Sequence, residues 1–401
     1  MRILQCHNFY RFPGGEDQVF HDESWLLKNH GHEVFHYLRD NRDIDNMSRI
    51  DLAKATIWNR KTVSDLEALI HEVSPELIHF HNTFPLISTS AYHTAKRYHI
   101  PIVQTLHNYR VMCPSATLFR KGKECHSCVN STFAIPGIIH KCYRSDRKAT
   151  AVAATANAFQ RAIKKSLHLV DRFIALSETS RQQFKLAGIP GSKLIVKPNF
   201  VRPDPEVGTA KGNHVVFVGR LTEEKGIDSL LEAWQAEPAN PISNIPLRIV
   251  GQGPLEDKVR HIASQNQNIS YLGQLKHNEV MDQISQSHVL VFPSIWPEPF
   301  GRSMIEAFAT GTPVVASTAG SIPEIVQHEV NGLHFTPGNA KDLQHQVVRM
   351  FTEPDLHAKT SIGARTSYEQ RYTADANHDV LMRTYVEAIE SNPPKLEICF
   401  A

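Results

Sequence analysis

Short apolar runs alternate along most of the chain with longer stretches in which apolar residues recur every three or four positions. The runs are rich in Val, Ile, Leu and Phe, which is typical of buried strands, and the stretches between them predict helices. We predict strands at residues 3–6, 77–80, 101–106, 171–176, 214–218, 247–250, 269–272, 289–292 and 314–316. Strands that alternate with helices form parallel sheets, so the predicted fold class is α/β.

A proline-rich segment divides this pattern into two halves. Residues 197–213 carry Pro198, Pro203 and Pro205 among charged residues and glycine, which is typical of a linker. With 401 residues, 41% of them hydrophobic, the chain can bury two cores. We expect an N-terminal α/β domain at residues 1–200 with a cysteine-containing insertion at 109–150, a C-terminal α/β domain at 201–376, and a final helical segment at 377–401.

The stretch from Val289 to Glu324 contains the strongest candidate chemistry. It predicts a strand, a loop held by prolines, a helix that begins at Arg302, and a second strand. In parallel sheets the ligand crevice lies beyond the carboxyl ends of the strands, which places Glu298 in its mouth and Glu306 in the helix behind it. The helix N-terminus offers free N–H groups to an anion, so a phosphate ester that carries hydroxyls fits the loop. The alternative is an ordinary strand-helix-strand unit with solvated glutamates.

A second loop follows the strand at residues 214–218. Gly219 permits a close approach of backbone, and Arg220 and Lys225 follow it before a helix that begins near Ile227. A guanidinium and an ammonium at this spacing can bind a diphosphate. Two solvated cations on a surface loop are the alternative.

Histidines follow two strands of the first half. His81-Asn82 and His107-Asn108 lie where the strands at 77–80 and 101–106 end, which is the ligand edge of a parallel sheet. A histidine there can bond to a sugar hydroxyl or stabilise a developing charge, although a structural role is the alternative for each.

The loop after the first strand contains Gly14-Gly15. We predict a strand that ends at Cys6, a loop at residues 7–16, and a helix from Asp17 to Asn29. A diglycine in this position lets backbone approach a ligand, and a tight turn without a ligand is the alternative. The chain lacks G-x-G-x-x-G at this place, which argues against a nicotinamide cofactor.

Four cysteines lie close together in the insertion: Cys113, Cys125, Cys128 and Cys142. Four thiolates can hold a structural zinc tetrahedrally and so order a long insertion of low apolar content. Reduced thiols or disulfides remain the alternatives.

Charge and hydropathy restrict the partners. A net charge of +2 gives no support for a nucleic-acid partner. No apolar stretch reaches transmembrane length, and the N-terminus predicts a strand, so we expect a cytoplasmic protein with reduced cysteines. The basic stretch at residues 141–165 predicts either peripheral contact with an anionic membrane on its inner face or a solvated helix face.

The stretch around Glu298 resembles a known family. Its residues are similar to the E-x7-E signature of retaining glycosyltransferases of family 4, and the resemblance continues through Gly311-Thr312-Pro313, Gly320, Pro323-Glu324 and Asn331-Gly332. The signature residues here are Glu298-Pro299-Phe300-Gly301-Arg302-Ser303-Met304-Ile305-Glu306. The resemblance implies the GT-B fold, with two Rossmann-like domains that face each other across a cleft, and a last helix that returns to the first domain.

The resemblance also implies roles for individual residues. Glu298, His107, Arg220 and Lys225 would be catalytic, with Glu298 on the sugar hydroxyls and Glu306 on the ribose. Gly14, Gly15, His81 and His107 would lie on the acceptor side. Donor-binding residues would be Gly15, Gly219, Arg220, Lys225, Gly251, Gln274, Leu275, Glu298, Phe300, Gly301, Arg302 and Glu306.

The expected activity follows from the same resemblance. It implies transfer of a sugar from a nucleoside diphosphate sugar to a hydroxyl of a glycan or lipid-linked acceptor, with retention by front-face attack, in surface polysaccharide or glycan assembly. The only Asp-x-Asp, Asp43-Ile44-Asp45, follows no strand, so we expect no metal in catalysis and no required cofactor. A nucleotide-sugar epimerase on the same fold, or a non-catalytic nucleotide-sugar-binding protein, is the alternative.

Overall fold

The computed structural model describes residues 1–11, 14–207, 212–235, 237 and 240–392, and it divides into two units. The first contains Met1–Leu118, His126–Lys197 and the chain from Asn377 onward. The second contains Phe119–Cys125 and Pro198–Ala376, so part of the insertion expected in the first domain belongs to the second unit.

The first unit is built on a parallel sheet of six strands in the order β2-β1-β3-β4-β7-β8. These strands are β1 (Arg2–Phe9), β2 (Glu33–Asp40), β3 (Leu77–Phe80), β4 (Ile102–Leu106), β7 (Arg172–Ala175) and β8 (Leu194–Val196). Its helices are α1 (Gly15–Asn29), α2 (Arg49–Ile57), α3 (Arg60–Val73), α4 (Ser90–Arg97), α5 (Ile135–Ile139), α6 (Arg147–Ala158), α7 (Glu178–Leu186) and most of α15 (Ala374–Glu390).

The second unit is built on another parallel sheet of six strands, in the order β11-β10-β9-β12-β13-β14. Its strands are β9 (Val215–Val218), β10 (Leu247–Val250), β11 (Ile269–Gly273), β12 (Val289–Phe292), β13 (Val314–Ser317) and β14 (Gly332–Phe335), besides the hairpin β5 (Phe119–Arg120) and β6 (Lys123–Glu124). Its helices are α8 (Ile227–Trp234), α9 (Glu256–Gln265), α10 (His277–Ser285), α11 (Arg302–Ala309), α12 (Ile322–Ile325), α13 (Ala340–Thr352) and α14 (Pro354–Arg371).

Both sheets reverse their strand order beside the first strand of the unit. In the first unit the reversal lies between β1 and β3, and in the second it lies between β9 and β12. Ligands of open parallel sheets bind beyond the carboxyl ends of the strands at such a reversal. The loops after β1 and β3, and those after β9 and β12, are therefore the places where each unit can bind a ligand.

The C-terminal helix α15 is part of the first core. Leu381, Tyr385 and Ala388 are buried with Ile3, Leu77 and other strand residues of the first sheet. The sequence pattern predicts the helix but not the surface on which it packs, because any amphipathic helix can cover either sheet.

The α/β prediction is confirmed, since both sheets are parallel and alternate with helices. Several predicted boundaries differ from the structure by one or more residues, and three of these differences bear on the candidate sites. Strand β1 runs to Phe9 and not to Cys6, because its side chains from Ile3 to Asn8 are all buried. Helix α1 begins at Gly15, with Gly14 as its N-cap, so the diglycine starts the helix. Lys197, placed at the start of the linker, is 1% exposed in the first unit. Within the described ranges, no helix is long and apolar enough to span a lipid bilayer.

Candidate active site

Glu298 is a buried acid of the second unit with three donors on one oxygen. The residue is 5% exposed in the loop after β12, and its Oε2 accepts hydrogen bonds from Ser294 Oγ at 3.0 Å and Trp296 Nε1 at 2.7 Å. Lys225 Nζ lies 2.6 Å from the same oxygen. Three donors on one oxygen hold the carboxylate in a single orientation, and they leave Oε1 as the oxygen open to a further donor such as a sugar hydroxyl.

The backbone of Glu298 is fixed by the loop that begins after β13. Its carbonyl accepts from Ser321 N at 3.0 Å. Gly320 has a φ of +60°, and a Cβ on it would lie 2.3 Å from Glu298 N. Only glycine permits both the backbone angle and this close approach, so Gly320 lets the loop sit directly against Glu298.

The loop after β9 brings Lys225 to Glu298. Glu224 O accepts from Ile295 N at 2.9 Å, which ties this loop to the one that carries Glu298. Gly226 has a φ of +73°, and a Cβ there would lie 1.9 Å from Pro293 O. Arg220, at the start of the same loop, is exposed. The two cations that the sequence singles out therefore differ, since Lys225 is held by a carboxylate and Arg220 reaches solvent.

Helix α11 begins immediately beyond this loop. Its N-cap Gly301 has a φ of +89°, and no side chain caps the first turn. Glu306 is 5% exposed on this helix, where its Oε1 accepts from Arg302 Nε at 2.7 Å, and His277 Nδ1 lies 3.8 Å from the same oxygen. The N-terminus of α11 therefore offers free N–H groups that can bind an anion, with a carboxylate one turn behind them.

Two further glycine loops border the same end of the sheet. Gly251 follows β10 with a φ of +135°, and a Cβ on it would lie 1.9 Å from Gly219 O. Gln274 and Leu275 follow β11, where Gln274 is exposed and Leu275 is partly buried. The structure thus brings Gly219, Gly251 and the end of β11 to one edge of the sheet.

In the first unit, His81 and His107 lie side by side at the ends of β3 and β4. His81 Nδ1 and His107 Nε2 are 3.1 Å apart, and both residues line a pocket together with Asn108 and Arg110. Burial, followed by the neighbouring His79, lowers the pKa of His81 to about 3. Burial, followed by His81, holds the pKa of His107 well below its ordinary value. Both rings are neutral at pH 7 as a result.

A buried acid of α1 lies behind these histidines. Glu23 Oε1 is 2.8 Å from His79 Nδ1 and 3.2 Å from His81 Nε2, while its Oε2 is 3.1 Å from Lys197 Nζ. Burial alone would raise the pKa of Glu23, but Lys197 and the two histidines hold it well below its usual range. Lys197 Nζ also donates to Asn377 Oδ1 at 3.0 Å, and Tyr385 Oη lies 2.8 Å from His79 Nδ1.

Among the described residues, Glu23, His79 and His81 could hold a metal ion, since one ligand atom of each lies within 4.8 Å of the others. The arrangement suits an ion pair better than a metal. The ammonium of Lys197 already lies at the carboxylate, and a divalent cation beside it would be strongly repelled in this buried setting.

The start of α1 also faces the histidine edge. Glu16 accepts from Asn108 Nδ2 at 2.8 Å and from Tyr10 Oη at 2.9 Å, and burial raises its pKa despite these bonds. A Cβ on Gly14 would meet no atom within 4 Å, so backbone is open to a ligand at this position.

Comparison with known proteins agrees with the geometry. A model described as Glycosyltransferase Family 4 matches residues 13–205, and one described as Glycosyl transferases group 1 matches residues 204–367. The chain belongs to the family 4-like glycosyltransferases of the GT-B fold. The predicted family and fold are thereby confirmed.

Curated relatives match this chain over about half of their length. An uncharacterised glycosyltransferase of Methanocaldococcus jannaschii is 31% identical over 44% of this chain and 45% of that protein. The O-antigen chain mannosyltransferase C of Escherichia coli is 27% identical over 46% of this chain and 49% of that protein. The chain thus spans about half the length of these curated relatives.

Solved structures show the same fold over almost the whole chain. Anabaena HepE in complex with UDP has a TM-score of 0.66 at 19% identity, covering 96% of this chain and 100% of that one. Sucrose-phosphate synthase from Thermosynechococcus elongatus has a TM-score of 0.68 at 18% identity, covering 96% and 98%. At these identities the likeness shows the fold alone.

Sequence reasoning missed the buried residues behind the histidine pocket of the first unit. It named His81 and His107 but not Glu23, His79 or Lys197. One signal was available, because Glu23 interrupts the buried apolar stripe of α1, where Val19, Phe20, Leu26 and Leu27 are the other members. An acid in an apolar stripe requires a buried partner.

The four cysteines of the insertion differ in burial. Cys113 is buried, with its Sγ 3.1 Å from Ser115 Oγ, while Cys125, Cys128 and Cys142 are partly exposed. A Cβ on Gly137, in α5, would lie 3.5 Å from Cys128 Sγ. The zinc site stays a prediction.

Proposed function

We propose that this protein is a retaining glycosyltransferase that moves a sugar from a nucleoside diphosphate sugar to a hydroxyl of a glycan or lipid-linked acceptor. The observation that supports it best is the Lys225–Glu298 pair at the strand-order reversal of the second unit, beside the uncapped N-terminus of α11. Anion-binding groups next to an oriented carboxylate suit a ligand with a diphosphate at one end and hydroxyls at the other.

Arg220, Lys225 and the N-terminus of α11 would bind the diphosphate and stabilise the charge that leaves with it. These groups supply the positive charge that a bound metal supplies elsewhere, so we propose that catalysis is metal-independent. Glu298 would accept hydrogen bonds from sugar hydroxyls and Glu306 from the ribose. Gly219, Gly251, Gln274, Leu275, Phe300, Gly301 and Arg302 would complete the donor site of the second unit.

The pocket of the first unit would bind the transferred sugar and the acceptor. His107 and His81 line it, and the Gly14-Gly15 start of α1 would lie beside the acceptor. We propose a role in surface polysaccharide or glycan assembly. The E. coli relative, an O-antigen chain mannosyltransferase, supports that choice.

We further propose that the protein is cytoplasmic and contacts the anionic inner face of a membrane. Ile163 is 69% exposed in the π-helical turn Phe159–Ile163 that continues α6, and Lys164 and Lys165 follow it. An exposed isoleucine beside two lysines suits an interfacial contact. Arg161 does not contribute, because its guanidinium donates to Val129 O and Ala187 O at 3.0 and 3.2 Å.

A donor screen by thermal unfolding tests the substrate class. A nucleoside diphosphate sugar present at a hundred times its Kd is expected to add about 2.7 kcal/mol to the free energy of unfolding. Transfer to an added acceptor with retention at the anomeric carbon supports the proposal. Release of an altered free sugar without acceptor would instead identify an epimerase. Binding of the donor without any turnover would identify a non-catalytic nucleotide-sugar-binding protein.

Two isosteric variants test how the donor lies. Glu306→Gln is expected to weaken the binding of free nucleoside diphosphate and of donor alike, because both ligands carry the ribose. Glu298→Gln is expected to weaken only the sugar-bearing ligand. Glutamine keeps an oxygen that can accept from Ser294, Trp296 and Lys225 and loses only the charge, whereas alanine would remove the acceptor altogether. Calorimetry measures the binding of both ligands to each variant. If Glu298→Gln weakens binding of the free nucleotide as much as Glu306→Gln does, the proposed orientation of the donor is wrong.

A further inference from the structure

Three buried side chains form a connected row that ends at the pocket of the first unit. Glu23 Oε1 is 3.2 Å from His81 Nε2, and His81 Nδ1 is 3.1 Å from His107 Nε2. Glu23 and His81 are 0% and 2% exposed. The proposed function gives His107 a role on the substrate, but it gives Glu23 none.

The two histidine rings meet edge to edge. Their centroids are 5.4 Å apart, which matches the separation of the two nitrogens plus two ring radii, and the planes differ by 19°. The nitrogens therefore lie on the line between the rings, with the N–H of one pointing along the lone pair of the other. One of the two nitrogens must carry the proton and the other must accept it.

Glu23 decides which nitrogen carries that proton. A carboxylate can only accept, and the ammonium of Lys197, 3.1 Å from Oε2, keeps Glu23 ionised. His81 Nε2 lies 3.2 Å from the carboxylate oxygen but outside hydrogen-bond alignment. A nitrogen lone pair at that distance would be repelled by the negative charge, so Nε2 carries the hydrogen. Because His81 is neutral, its Nδ1 then has only a lone pair, and His107 Nε2 must donate to it.

We propose that Glu23 and His81 are positioning residues that hold His107 in the tautomer protonated at Nε2, so that its Nδ1 is a hydrogen-bond acceptor for a substrate hydroxyl. The hydroxyl, of the transferred sugar or the acceptor, rests on the proposed function. The tautomer itself does not. His107 Nδ1 thus accepts a hydrogen bond from the substrate hydroxyl and does not donate one to it.

The wild-type protein tests the tautomer directly. Full-length protein labelled with 15N-histidine is examined by long-range 1H–15N correlation at neutral pH, and a His107→Asn sample identifies which resonances belong to His107. We expect a protonated Nε2 and an unprotonated Nδ1. A hydrogen on Nδ1 of His107 overturns the proposal whatever the activity of the protein is.

Glu23→Gln is the variant that should reverse the tautomer. Lys197 can only donate, so the glutamine must turn its oxygen toward Lys197 and its NH2 toward His79 and His81. Gln5, whose Nε2 lies 3.4 Å from Glu23 Oε1, can turn its own amide to accept. His81 Nε2 then becomes the acceptor, His81 Nδ1 donates to His107 Nε2, and the hydrogen of His107 moves to Nδ1.

Tyr385→Phe is the matched control. Its hydroxyl contacts His79 Nδ1 at 2.8 Å in the same buried network, but within the described part of the chain it makes no hydrogen bond to His107. We expect the control to lower stability and to leave the tautomer of His107 unchanged. An unchanged tautomer in Glu23→Gln, or the same reversal in Tyr385→Phe, contradicts the proposal.

Sugar transfer provides a second measurement. Reversing one hydrogen bond to a substrate hydroxyl is expected to lower kcat about tenfold in Glu23→Gln, with a smaller change in KM. If no donor is turned over by the wild-type protein, the proposed function fails while the NMR result still stands. If Glu23→Gln does not fold, the wild-type spectrum alone decides the tautomer.

Discussion

Two buried carboxylates show how differently this chain uses an acid. Glu298 keeps one carboxylate oxygen for three protein donors, so its other oxygen is oriented before any ligand arrives. Glu23 is surrounded entirely by protein, and its charge acts on the histidines beside it. Neither residue type nor burial distinguishes these uses, because both residues are glutamates and both side chains are fully or nearly fully buried.

The backbone around Glu298 can be tested by a pair of glycine substitutions. Gly320→Ala places a Cβ 2.3 Å from Glu298 N at a φ of +60°, whereas Gly273→Ala meets no atom within 4 Å at a φ of +72°. Gly273→Ala should therefore lower the free energy of unfolding only by the strain of the left-handed conformation, about 1–2 kcal/mol. Gly320→Ala should lower the free energy of unfolding by more, as measured by urea unfolding. It should also weaken donor binding, as measured by calorimetry. Equal losses would show that the loop moves freely away from Glu298.

The depressed pKa of His81 predicts acid sensitivity. The unfolded chain protonates this histidine near its ordinary value of 6.5, but the folded protein does so only at about pH 3. Below pH 6.5 the unfolded state binds the extra proton, so stability falls as pH falls. As the pH falls from about 6 to 4, the free energy of unfolding of the wild-type protein should fall by ~1.4 kcal/mol per pH unit more than that of His81→Gln.

Denaturant unfolding at each pH measures this difference. His140→Gln, which removes an exposed histidine, serves as the control and should keep the wild-type pH dependence. Identical slopes in wild type and His81→Gln would mean that His81 is protonated in the folded state at these pH values.

At the scale of elements, the helices that follow β12 and β1 place the chemistry. Helix α11 has no side-chain cap and no acid in its first turn, which leaves its N-terminus open for an anion. Helix α1 instead carries Glu16 and Asp17 in its first turn, and its buried face carries Glu23. An anionic ligand is therefore favoured at α11 and disfavoured at α1, in keeping with a diphosphate in the second unit.

The cysteine insertion is the element whose order zinc would explain. If four thiolates bind the metal, purified protein should contain about one equivalent of zinc, and Cys125→Ser should lower both metal content and thermal stability. Cys6→Ser, in the buried strand β1, is the control and should leave the metal content unchanged. Protein that is free of zinc, stable and fully active would exclude the structural zinc.

At the scale of the whole molecule, the net charge of +2 conceals a basic surface on the first unit. Lys164, Arg60 and Arg97 line one pocket with Trp58, and the exposed Ile163 is next to it in the chain. Local charge of this kind, and not the total, determines attraction to an anionic surface.

Charge reversal tests the membrane contact. Lys164→Glu with Lys165→Glu should reduce cosedimentation with anionic vesicles, and added salt should do the same, because exposed charges are screened. Lys341→Glu with Lys359→Glu changes the net charge equally on exposed helix positions of the second unit and should have little effect. Equal binding to neutral vesicles, or an equal loss in the control, would exclude the proposed surface.

Much of the fold follows from local sequence. The apolar runs at residues 77–80, 247–250 and 289–292 are strands with the predicted ends, since a fully buried strand of a parallel sheet shows no alternation and ends where polar residues begin. Helix α11 begins at Arg302 as predicted, because Gly301 supplies the backbone angle that starts it. The end of β1 was missed because His7 and Asn8 are polar residues that the folded chain buries.

The sequence by itself determined the α/β class, the family signature around Glu298 and the strand ends at which Arg220, His81 and His107 lie. Periodicity, glycine and proline act over a few residues, and these features depend on nothing more distant. The tertiary structure alone decided that Lys225 pairs with Glu298, that Lys197 is a buried partner and not a linker residue, and that Glu23 meets His79, His81 and Lys197. Such pairs join residues far apart in the chain, and only the order of the strands in each sheet brings them together.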